Sequence, residues 1–334
     1  MKAVVLKEVN NLVLEEVTRP TPASGQSLVK VLACGICGTD RHIYKGEYPS
    51  TKPVILGHEF GGVVAEVGPG SKFNVGDLVS VDPNLVCGQC VDCKAGRTAF
   101  CPSLTALGVN INGGLAEYVL TPDTQIYPVR PDLNPLHLAF IEPLACSIRG
   151  MDLAGLKGGE KVAILGGGVI GLLVVQLAKL AGASEIVLVT RQKFRRDVAL
   201  KIGATRVIDP KSQSVTDVLS GMDVTFECAG AVETFNQAQK VTRRGGAIIV
   251  LGLTAAETKV EFNPFDVVVN ELRIQGSYLN PLTQGRAAEI VGSGKLNLDI
   301  MISKVVDLDG VKAILDADPA EGDIKYIVSP NSNS

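Results

Sequence analysis

Four of the eight cysteines lie between positions 87 and 101, inside the segment 86–102. Their spacing, C-x2-C-x2-C-x7-C, lets four thiolates converge on one tetrahedral metal ion. The four are Cys87, Cys90, Cys93 and Cys101. Because four sulfur ligands leave no open coordination position, the pattern predicts a structural zinc site. Two alternatives remain: four unligated thiols, or an iron–sulfur cluster, although bacterial ferredoxins place the fourth cysteine after three residues rather than seven.

A second group of residues offers mixed sulfur, nitrogen and oxygen ligands. These are Cys37 in ACGICGTDRH, His58 and Glu59 in ILGHEFGG, and Glu142 in AFIEPLACS. A buried glutamate without a partner is costly, and a cation is one way to compensate its charge. Three protein ligands of this kind leave one position open, as a catalytic zinc requires. Taken alone, each of these residues would most often be an ordinary core or surface residue. Positions far apart in the sequence do not by themselves show that the side chains converge in space.

A glycine-rich turn at residues 166–171 indicates a dinucleotide site. The apolar run 162–165 predicts a buried strand, a helix extends to about Leu180, and 186–189 predicts the next strand. In this pattern successive glycines permit a tight turn, close approach of backbone N–H groups to a pyrophosphate, and close packing of helix and strand. The predicted cofactor contacts are Gly166, Gly168, Val169, Ile170 and Gly171. A turn with only a structural role is the alternative.

The residues after the second predicted strand bear on the choice of cofactor. A NAD site normally presents an Asp or Glu to the adenosine ribose. Here that position holds Thr190 and Arg191, with Arg195 and Arg196 one helical turn further on. Arginine recognises phosphate with a permanent charge and paired hydrogen bonds. We therefore expect a preference for NADP over NAD. The alternative is that Arg195 and Arg196 form a solvated helix face.

Later apolar runs supply the elements that position these groups. They alternate with helical stretches, which predicts a doubly wound parallel sheet and an α/β fold. The runs are 206–208, 222–230, 245–253 and 271–279. Gly252 and Ser277, inside the last two runs, are predicted to contact the cofactor.

Composition limits the possible partners and compartments. Of 334 residues, 46% are apolar and 20% charged, with a net charge of −3 and no basic block. We therefore expect no nucleic-acid or membrane partner. The N-terminal segment has acidic residues where a signal peptide would be apolar, and no apolar run reaches the ~18 residues of a membrane span. We expect a cytoplasmic protein, in which thiols stay reduced and clustered cysteines bind metal.

The order of these motifs resembles that of a known family. Cys37, GHE at 57–59, the cysteine segment, EPLAC at 142–146 and the glycine turn follow one another as in the zinc-dependent medium-chain alcohol and polyol dehydrogenases. The resemblance runs essentially end to end. It implies a GroES-like, β-rich catalytic domain with a Rossmann domain inserted, and two zinc ions per chain, one catalytic and one structural. The implied bounds are 1–145 with 280–334 for the catalytic domain and 146–279 for the Rossmann domain.

The resemblance also implies the ligands of the catalytic zinc. Cys37 and His58 are implied ligands, while Glu59, Glu142 and a water fill the remaining positions in different members of the family. Glu142 stands where the classical alcohol dehydrogenases have a cysteine, as in the sorbitol and threonine dehydrogenase branch. The resemblance does not decide which of the two glutamates binds zinc directly.

A proton relay is implied by the same likeness. In CGTDRH, Thr39 stands where a hydroxyl contacts the substrate alcohol, and His42 where an imidazole passes the proton toward solvent. Asp40 is expected to brace the loop and the metal ligands. A plain surface histidine is the alternative for His42.

We therefore expect a zinc-dependent NAD(P) oxidoreductase that transfers a hydride between a secondary alcohol and the nicotinamide. The substrate is expected to be a polyol or sugar alcohol, on the basis of Glu142 and of polar pocket candidates such as Tyr44 and Glu117. Alternatives are a threonine-dehydrogenase-like enzyme, an aldehyde-reducing enzyme, and a non-catalytic zinc and nucleotide protein with a structural or regulatory role. By analogy with the family we expect a homodimer or homotetramer.

Overall fold

A computed structural model describes residues 1–331 of the chain. The chain divides into two compact units, one formed by Met1–Pro143 together with the residues from Pro281 onward, the other by Leu144–Asn280. The domain bounds proposed from the sequence differ from these by two residues at the first boundary and one at the second. Among the helices of residues 1–331, none is long and apolar enough to cross a membrane.

The first unit is built mainly from short antiparallel strands. Its N-terminal part contains β1 (Lys2–Glu8), β2 (Asn11–Glu16), β3 (Gln26–Gly35), β4 (Val54–Ile55), β5 (Glu59–Val67), β6 (Leu78–Val81), β7 (Asn84–Leu85), β8 (Thr105–Ala106), β9 (Tyr118–Pro122) and β10 (Ile126–Pro128). The helices in this part are α1 (Gly38–Lys45) and α2 (Val91–Lys94), and α3 (Ile141–Ala154) begins at its end. Apolar side chains of β1, β3 and β5 point into a shared core, for example Leu6, Val31 and Phe60.

Strands and helices alternate in the second unit. The elements are β11 (Lys161–Leu165), α4 (Val169–Leu180), β12 (Glu185–Val189), α5 (Lys193–Ile202), β13 (Arg206–Ile208), α6 (Val215–Val218), β14 (Met222–Glu227), α7 (Val232–Val241), β15 (Thr242–Val250), α8 (Pro264–Val269) and β16 (Arg273–Gly276). The strands are parallel, in the order β13-β12-β11-β14-β15-β16.

This strand order confirms the predicted doubly wound sheet. The order reverses between β11 and β14, and in such sheets a ligand binds beyond the carboxyl ends of the strands at that point. β11 is an uninterrupted apolar run because it is central in the sheet, and residues Val162 to Leu165 are fully buried.

β14 and β15 begin or end at positions other than those of the apolar runs seen in the sequence. β14 ends at Glu227 rather than continuing to 230, because the buried carboxylate of Glu227 accepts hydrogen bonds from the N–H groups of Ala229 and Gly230, both at 2.9 Å, and turns the chain. β15 begins three residues earlier than the apolar run suggests, at Thr242. The first residues of β15 are polar or glycine, so the apolar pattern did not extend over them.

The C-terminal part of the chain completes the first unit. It contains α9 (Gln284–Gly292), β17 (Ile302–Val306), α10 (Val311–Asp316) and β18 (Lys325–Val328). The main sheet of this unit has the order β10-β6-β5-β3-β18-β17, and β9 also pairs with β3. β18 runs antiparallel to β3 and parallel to β17. Residues nearly 300 positions apart in the chain are therefore neighbours in one sheet.

Candidate metal centre and dinucleotide site

Three of the predicted metal ligands converge in the first unit. The Cys37 sulfur, a ring nitrogen of His58 and a carboxylate oxygen of Glu59 all lie within 4.8 Å of one another. The pairing of β3 with β5 brings them together, because Gly35 lies opposite Glu59 in the register. Cys37 follows the end of β3 and is the N-cap residue of α1, while His58 immediately precedes β5. The donor set suits zinc, which is bound by thiolate, imidazole and carboxylate ligands.

Asp40 fixes the geometry of these ligands. Its fully buried carboxylate accepts hydrogen bonds from the N–H groups of Cys37, at 2.8 Å, and Gly57, at 3.3 Å. Its Oδ1 atom lies 3.4 Å from Nδ1 of His58, close enough for an ion pair but not aligned as a hydrogen bond. A carboxylate against the second ring nitrogen is the usual environment of a histidine metal ligand. The expected bracing role of Asp40 therefore has a direct structural basis.

The charges around His58 act on each other. Burial alone would raise the pKa of Asp40, but the His58 ring and the Cys37 N–H group bring that pKa below its usual range. Burial alone would lower the pKa of His58, but the charges of Asp40 and Cys37 raise that pKa well above its usual value. The carboxylate of Asp40 and the sulfur of Cys37 therefore favour positive charge at His58.

Lys325 is a member of this cluster that the sequence analysis did not identify. Its ammonium group pairs with the carboxylate of Glu59, and both side chains are almost fully buried. Burial alone would lower the pKa of Lys325, but the charges of Glu59 and Cys37 raise it, so the side chain is a cation. The sequence did contain one indication, because Lys325 takes an inward position in the otherwise apolar strand β18. Its partner, 266 positions away, could not be read from that pattern.

Glu142 lies in the same unit but outside the three-residue set. It is the second residue of α3 and is 7% exposed. Its charge contributes to raising the pKa of Lys325, so the two groups interact electrostatically. Glu142 therefore remains a candidate ligand beside Glu59.

The two proposed proton-relay residues lie on α1, directly after Cys37. Thr39 is half-buried in the first turn, and His42 is exposed three residues later. Residues three apart lie on the same face of a helix. His42 Nδ1 is 2.6 Å from an oxygen of Glu47, so its second ring nitrogen faces a different direction.

Two polar residues suggested for the substrate pocket have other roles. Tyr44 is buried in the core of the first unit, and its hydroxyl donates a hydrogen bond to Asp316 at 2.5 Å. Glu117 accepts a hydrogen bond from the N–H group of Lys2 at 2.7 Å. The interpretation of Tyr44 as a pocket residue was wrong, because a strand–helix motif does not reveal which side of α1 faces the core.

The four clustered cysteines form a compact sulfur site. Their sulfur atoms lie within 4.8 Å of one another, with separations of 3.6 Å between Cys101 and Cys87 and 4.0 Å between Cys87 and Cys93. Sulfur atoms about 2.3 Å from a tetrahedral zinc would be separated by roughly 3.8 Å. Backbone N–H groups of Cys90 and Cys93 donate to the sulfur atoms of Cys87 and Cys90, at 3.3 and 3.4 Å. The geometry fits a closed structural zinc site.

The ionisation of these thiols supports a cation at their centre. Hydrogen bonds from the N–H groups of Gln89 and Cys90 lower the pKa of Cys87 to about 6. Desolvation and the neighbouring Cys90 thiol raise the pKa of Cys93 to about 12. Without a cation the four groups therefore cannot all be thiolates at neutral pH. Zinc removes that obstacle because it binds the deprotonated form.

The glycine turn of the second unit leaves space for a diphosphate. At Gly168, which precedes α4, a side-chain Cβ would have no heavy atom of the described chain within 4 Å. Glycine also provides no side chain to cap the first N–H groups of this twelve-residue helix, and these groups attract anions. At Gly171 the situation is reversed, because a Cβ there would lie 2.0 Å from the carbonyl oxygen of Gly166. Gly168 therefore faces a ligand space, whereas Gly171 is required for packing.

The arginines beyond β12 differ in their contacts and in their exposure. Arg196 donates a hydrogen bond to the carbonyl of Thr190 at 2.7 Å and pairs with Asp209 at 2.8 Å. It is therefore a structural tie between the ends of β12 and β13, so neither the phosphate-binding role considered for Arg196 nor the alternative of a solvated face describes its contacts. Arg191 is exposed, and Arg195 is half-buried.

Two more predicted cofactor contacts follow β15 and β16. The N–H group of Gly252 donates to the carbonyl of Glu227, and the N–H group of Ser277 donates to that of Val250, both at 2.9 Å. The hydroxyl of Ser277 is buried and has no hydrogen-bond partner among residues 1–331. A buried hydroxyl without a partner is costly unless a ligand supplies one, so this atom is suited to a bound cofactor.

Comparisons with known proteins agree with this arrangement. Residues 23–131 match the family model of the alcohol dehydrogenase GroES-like domain, and residues 169–291 match that of the zinc-binding dehydrogenases. D-arabinitol dehydrogenase 1 of Uromyces fabae is 33% identical over 91% of this chain and 90% of its own length. L-threonine 3-dehydrogenase of Pyrococcus furiosus is 35% identical over 87% of this chain and 86% of its own.

A solved structure is closer still to this chain. It comes from Sinorhizobium meliloti 1021, is described as a zinc-binding dehydrogenase, and is bound to NADP. The sequence identity is 46% and the TM-score 0.97, with 98% of this chain and 99% of the other covered. The GroES-like and Rossmann-like domains predicted from the sequence are thereby confirmed.

The space at Gly168 gives the first testable prediction. The variant Gly168→Ala should fold normally, because its Cβ meets no other atom, but should bind NADP and NAD at least about tenfold more weakly, because the methyl group occupies the pyrophosphate space. Cofactor titration by fluorescence, together with thermal unfolding, measures both properties. Gly171→Ala is the matched control and should lower stability by roughly 1–3 kcal/mol. Unchanged cofactor binding by Gly168→Ala would place the diphosphate elsewhere.

The sulfur site gives a second prediction. Cys101→Ser should lose one equivalent of zinc per chain and lower the free energy of unfolding by more than about 4 kcal/mol, because it opens a closed metal site. Metal analysis and thermal unfolding are the measurements. Cys146→Ser, in α3 and outside both ligand sets, is the control. A Cys101→Ser protein that kept its full zinc content and stability would contradict the structural role.

Proposed function

The chain belongs to the zinc-dependent medium-chain alcohol and polyol dehydrogenases, and from that membership we propose that it oxidises a secondary hydroxyl group of a polyol or sugar alcohol with NADP. The predicted class of enzyme is confirmed: it is a zinc-dependent oxidoreductase that transfers a hydride between an alcohol and a nicotinamide cofactor. The non-catalytic alternative is therefore set aside. The single observation that carries the proposal is the convergence of Cys37, His58 and Glu59 around one point.

Two zinc ions per chain are proposed. Cys37, His58 and one or both of Glu59 and Glu142 would hold the catalytic ion, and the four cysteines between 87 and 101 would hold the structural one. The catalytic zinc, when bound, supplies a Lewis acid that polarises the alcohol oxygen. The two ligand sets differ in whether they leave a coordination position open for substrate. Four sulfur atoms fill all four positions of a tetrahedral ion, whereas the mixed set can leave one open.

The proton leaves the alcohol through side chains of α1. An alcohol must lose its proton before its carbon-bound hydrogen can depart as hydride, so a base must lie near the hydroxyl. The hydroxyl of Thr39 would accept this proton, and His42, on the same helix face, would release it to solvent. The contact between Nδ1 of His42 and the carboxylate of Glu47 orients the ring. Asp40 orients His58 and keeps Cys37 at the start of α1.

The choice of a polyol is supported by the ligand chemistry and by one relative. Glu142 stands in the position that distinguishes the polyol and threonine branch, and the D-arabinitol dehydrogenase of Uromyces fabae covers nearly the whole chain. A threonine-dehydrogenase-like activity is the second candidate, favoured by the similarity to the Pyrococcus furiosus enzyme. Reduction of an aldehyde with NADPH, the remaining enzymatic alternative, would be the reverse of oxidising a primary rather than a secondary alcohol.

The preference for NADP is supported by the surface beyond β12. Thr190 carries no charge that would repel a 2′-phosphate, and Arg191 is exposed directly after it. Asp209, a carboxylate at the end of the next strand, is already neutralised by Arg196. The Sinorhizobium meliloti structure, 46% identical, is bound to NADP.

A homodimer or homotetramer in a reducing compartment such as the cytoplasm completes the proposal. β16 lies at the edge of the sheet, and an unpaired edge is a template for another strand. Large exposed apolar side chains lie on α8 and just before it, including Phe262, Phe265 and Val268. Both ligand sets need reduced cysteines, which a reducing compartment provides.

Parallel activity assays test the proposed function. Reduction of NADP and of NAD is followed by absorbance against polyols, simple secondary alcohols and threonine, with and without a chelator. We expect chelator-sensitive oxidation of a polyol. The variant His58→Ala should lose turnover by roughly 10³-fold or more while NADP binding persists. Turnover of threonine alone would support the second candidate, and loss of NADP binding by His58→Ala would contradict the assignment of His58 to the metal centre.

The cofactor preference is tested separately. Arg191→Ala should weaken NADP binding about tenfold or more, because hydrogen bonds to a charged group contribute roughly 1.5–3 kcal/mol. NAD binding should change less than about twofold. Lys193→Ala removes another exposed cation, paired with Asp197 on α5, and should leave the ratio of the two affinities unchanged. Equal losses for NADP and NAD in Arg191→Ala would mean that Arg191 does not contact the 2′-phosphate.

A further inference from the structure

The first unit contains a cavity of about 500 Å³ that is separate from both proposed metal sites. None of the residues that line it belongs to either proposed ligand set or to α1. Four apolar side chains of the lining are only 1–5% exposed, namely Val5, Ile55, Leu107 and Val119. Sites for small molecules in proteins have this range of volume and a mainly apolar lining.

The surface around this cavity is not an extended apolar patch. Among the large apolar side chains that are exposed in residues 1–331, only Ile111 lines the cavity. A stable interface between two proteins covers about 800 Å² on each partner. The apolar surface here lies mainly inside the cavity, so it fits a small molecule better than a second protein.

Two side chains at the rim of the cavity have N–H groups to offer a ligand. The amide oxygen of Asn112, which is exposed, accepts a hydrogen bond from the N–H group of Ile55 at 3.0 Å. This bond fixes the orientation of the amide, and its nitrogen has no hydrogen-bond partner in the described part of the chain. The ammonium group of Lys7 lies 2.6 Å from Oε1 of Glu15, which uses one of its three donors.

The donors at the rim select the chemistry of the ligand. N–H groups require an acceptor, and an acceptor with a negative charge forms the stronger hydrogen bonds. Glu15 offsets part of the charge of Lys7, and both side chains are about one-third exposed. Exposed charges contribute little to binding, so the apolar part of the ligand must supply most of the affinity.

We propose that this cavity is a second, non-catalytic site that binds an apolar chain carrying a carboxylate group. The apolar chain lies in the cavity against Val5, Ile55 and Val119, and the carboxylate stays at the rim on the N–H groups of Lys7 and Asn112. The proposal goes beyond the proposed function and does not depend on it, because the cavity and the metal ligands share no residue.

Titration of the zinc-containing enzyme with octanoate, followed by calorimetry, tests the site. We expect one octanoate per chain with a dissociation constant below about 1 mM, as for a ligand of about ten heavy atoms with ordinary efficiency. Saturating NADP should leave this constant unchanged. Shorter chains should bind about fourfold more weakly for each CH₂ removed, because less apolar surface is buried. Equal affinities for hexanoate and octanoate, or no binding, would overturn the proposal.

Filling the cavity tests where octanoate binds. Leu120→Trp enlarges a half-buried side chain of the lining and should weaken octanoate binding more than tenfold. Val75→Trp places the same indole at a position that is 65% exposed and outside the lining, so it should have no effect. If Leu120→Trp does not fold, Val17→Trp at the rim replaces it. Parent-like affinity in a folded lining variant would place octanoate elsewhere.

Two further variants test the carboxylate end of the ligand. Asn112→Asp keeps the oxygen that accepts from Ile55 but replaces the N–H donor by a negative charge. Lys7→Met keeps the apolar stem and removes the cation. Each should weaken octanoate binding about tenfold, whereas Asn112→Asp should bind octylamine more tightly than the parent. Equal changes for octanoate and octylamine would contradict the assigned position of the carboxylate.

Two other occupants are distinguished by the same proteins. A carboxylate can also bind a catalytic metal, so His58→Ala should retain the octanoate binding that Leu120→Trp removes. Loss of binding in His58→Ala would assign octanoate to the metal centre and overturn the proposal. If the cavity instead holds part of a second copy of this chain, the parent will not bind octanoate and Leu120→Trp will dissociate the assembly. Sedimentation of the parent and of Leu120→Trp measures that alternative, which would also overturn the proposal.

Discussion

The register between β3 and β5 is the constraint on which the metal centre depends. With Gly35 opposite Glu59, the end of one strand and the start of the other meet, and Cys37 and His58 come within reach of a single ion. A shift of one residue would turn Glu59 to the other face of the sheet. It would also remove the His58 ring from the carboxylate of Asp40. The chemistry of the site is thus a consequence of backbone pairing in the sheet.

The two sulfur-containing sites illustrate what the sequence can and cannot predict. The four-cysteine site lies within fifteen consecutive positions, so its spacing alone predicts the closed geometry that the structure contains. The same is true of the glycine turn, where strand, turn and helix are adjacent in the chain. The mixed site draws on residues 37, 58 and 59, and only family resemblance could join them before the strand pairing was known.

The remaining differences have the same physical origin. Lys325 was not singled out and Arg196 was grouped with the arginines that could meet a 2′-phosphate, because their partners, Glu59 and Asp209, become neighbours only through the sheets. Tyr44 was misread because the sequence of α1 does not tell which face packs against α10. The end of β14 was misplaced because a single side chain, Glu227, turns the chain by binding backbone N–H groups ahead of it. For Lys325, Arg196 and Tyr44, a contact that exists only in the folded chain outweighed the local pattern. For β14, the contact of one side chain with nearby backbone groups did so.

The completion of the first unit by β17 and β18 has a consequence for the order of assembly. Translation proceeds from the N-terminus, so Cys37, His58 and Glu59 emerge from the ribosome long before β18 and Lys325 exist. The second unit, a continuous segment from Leu144 to Asn280, can form its sheet in the interval. During that time the nascent metal ligands have no counter-cation of their own. The ion pair between Glu59 and Lys325 can therefore form only once the last strand, β18, has been synthesised and has paired with β3.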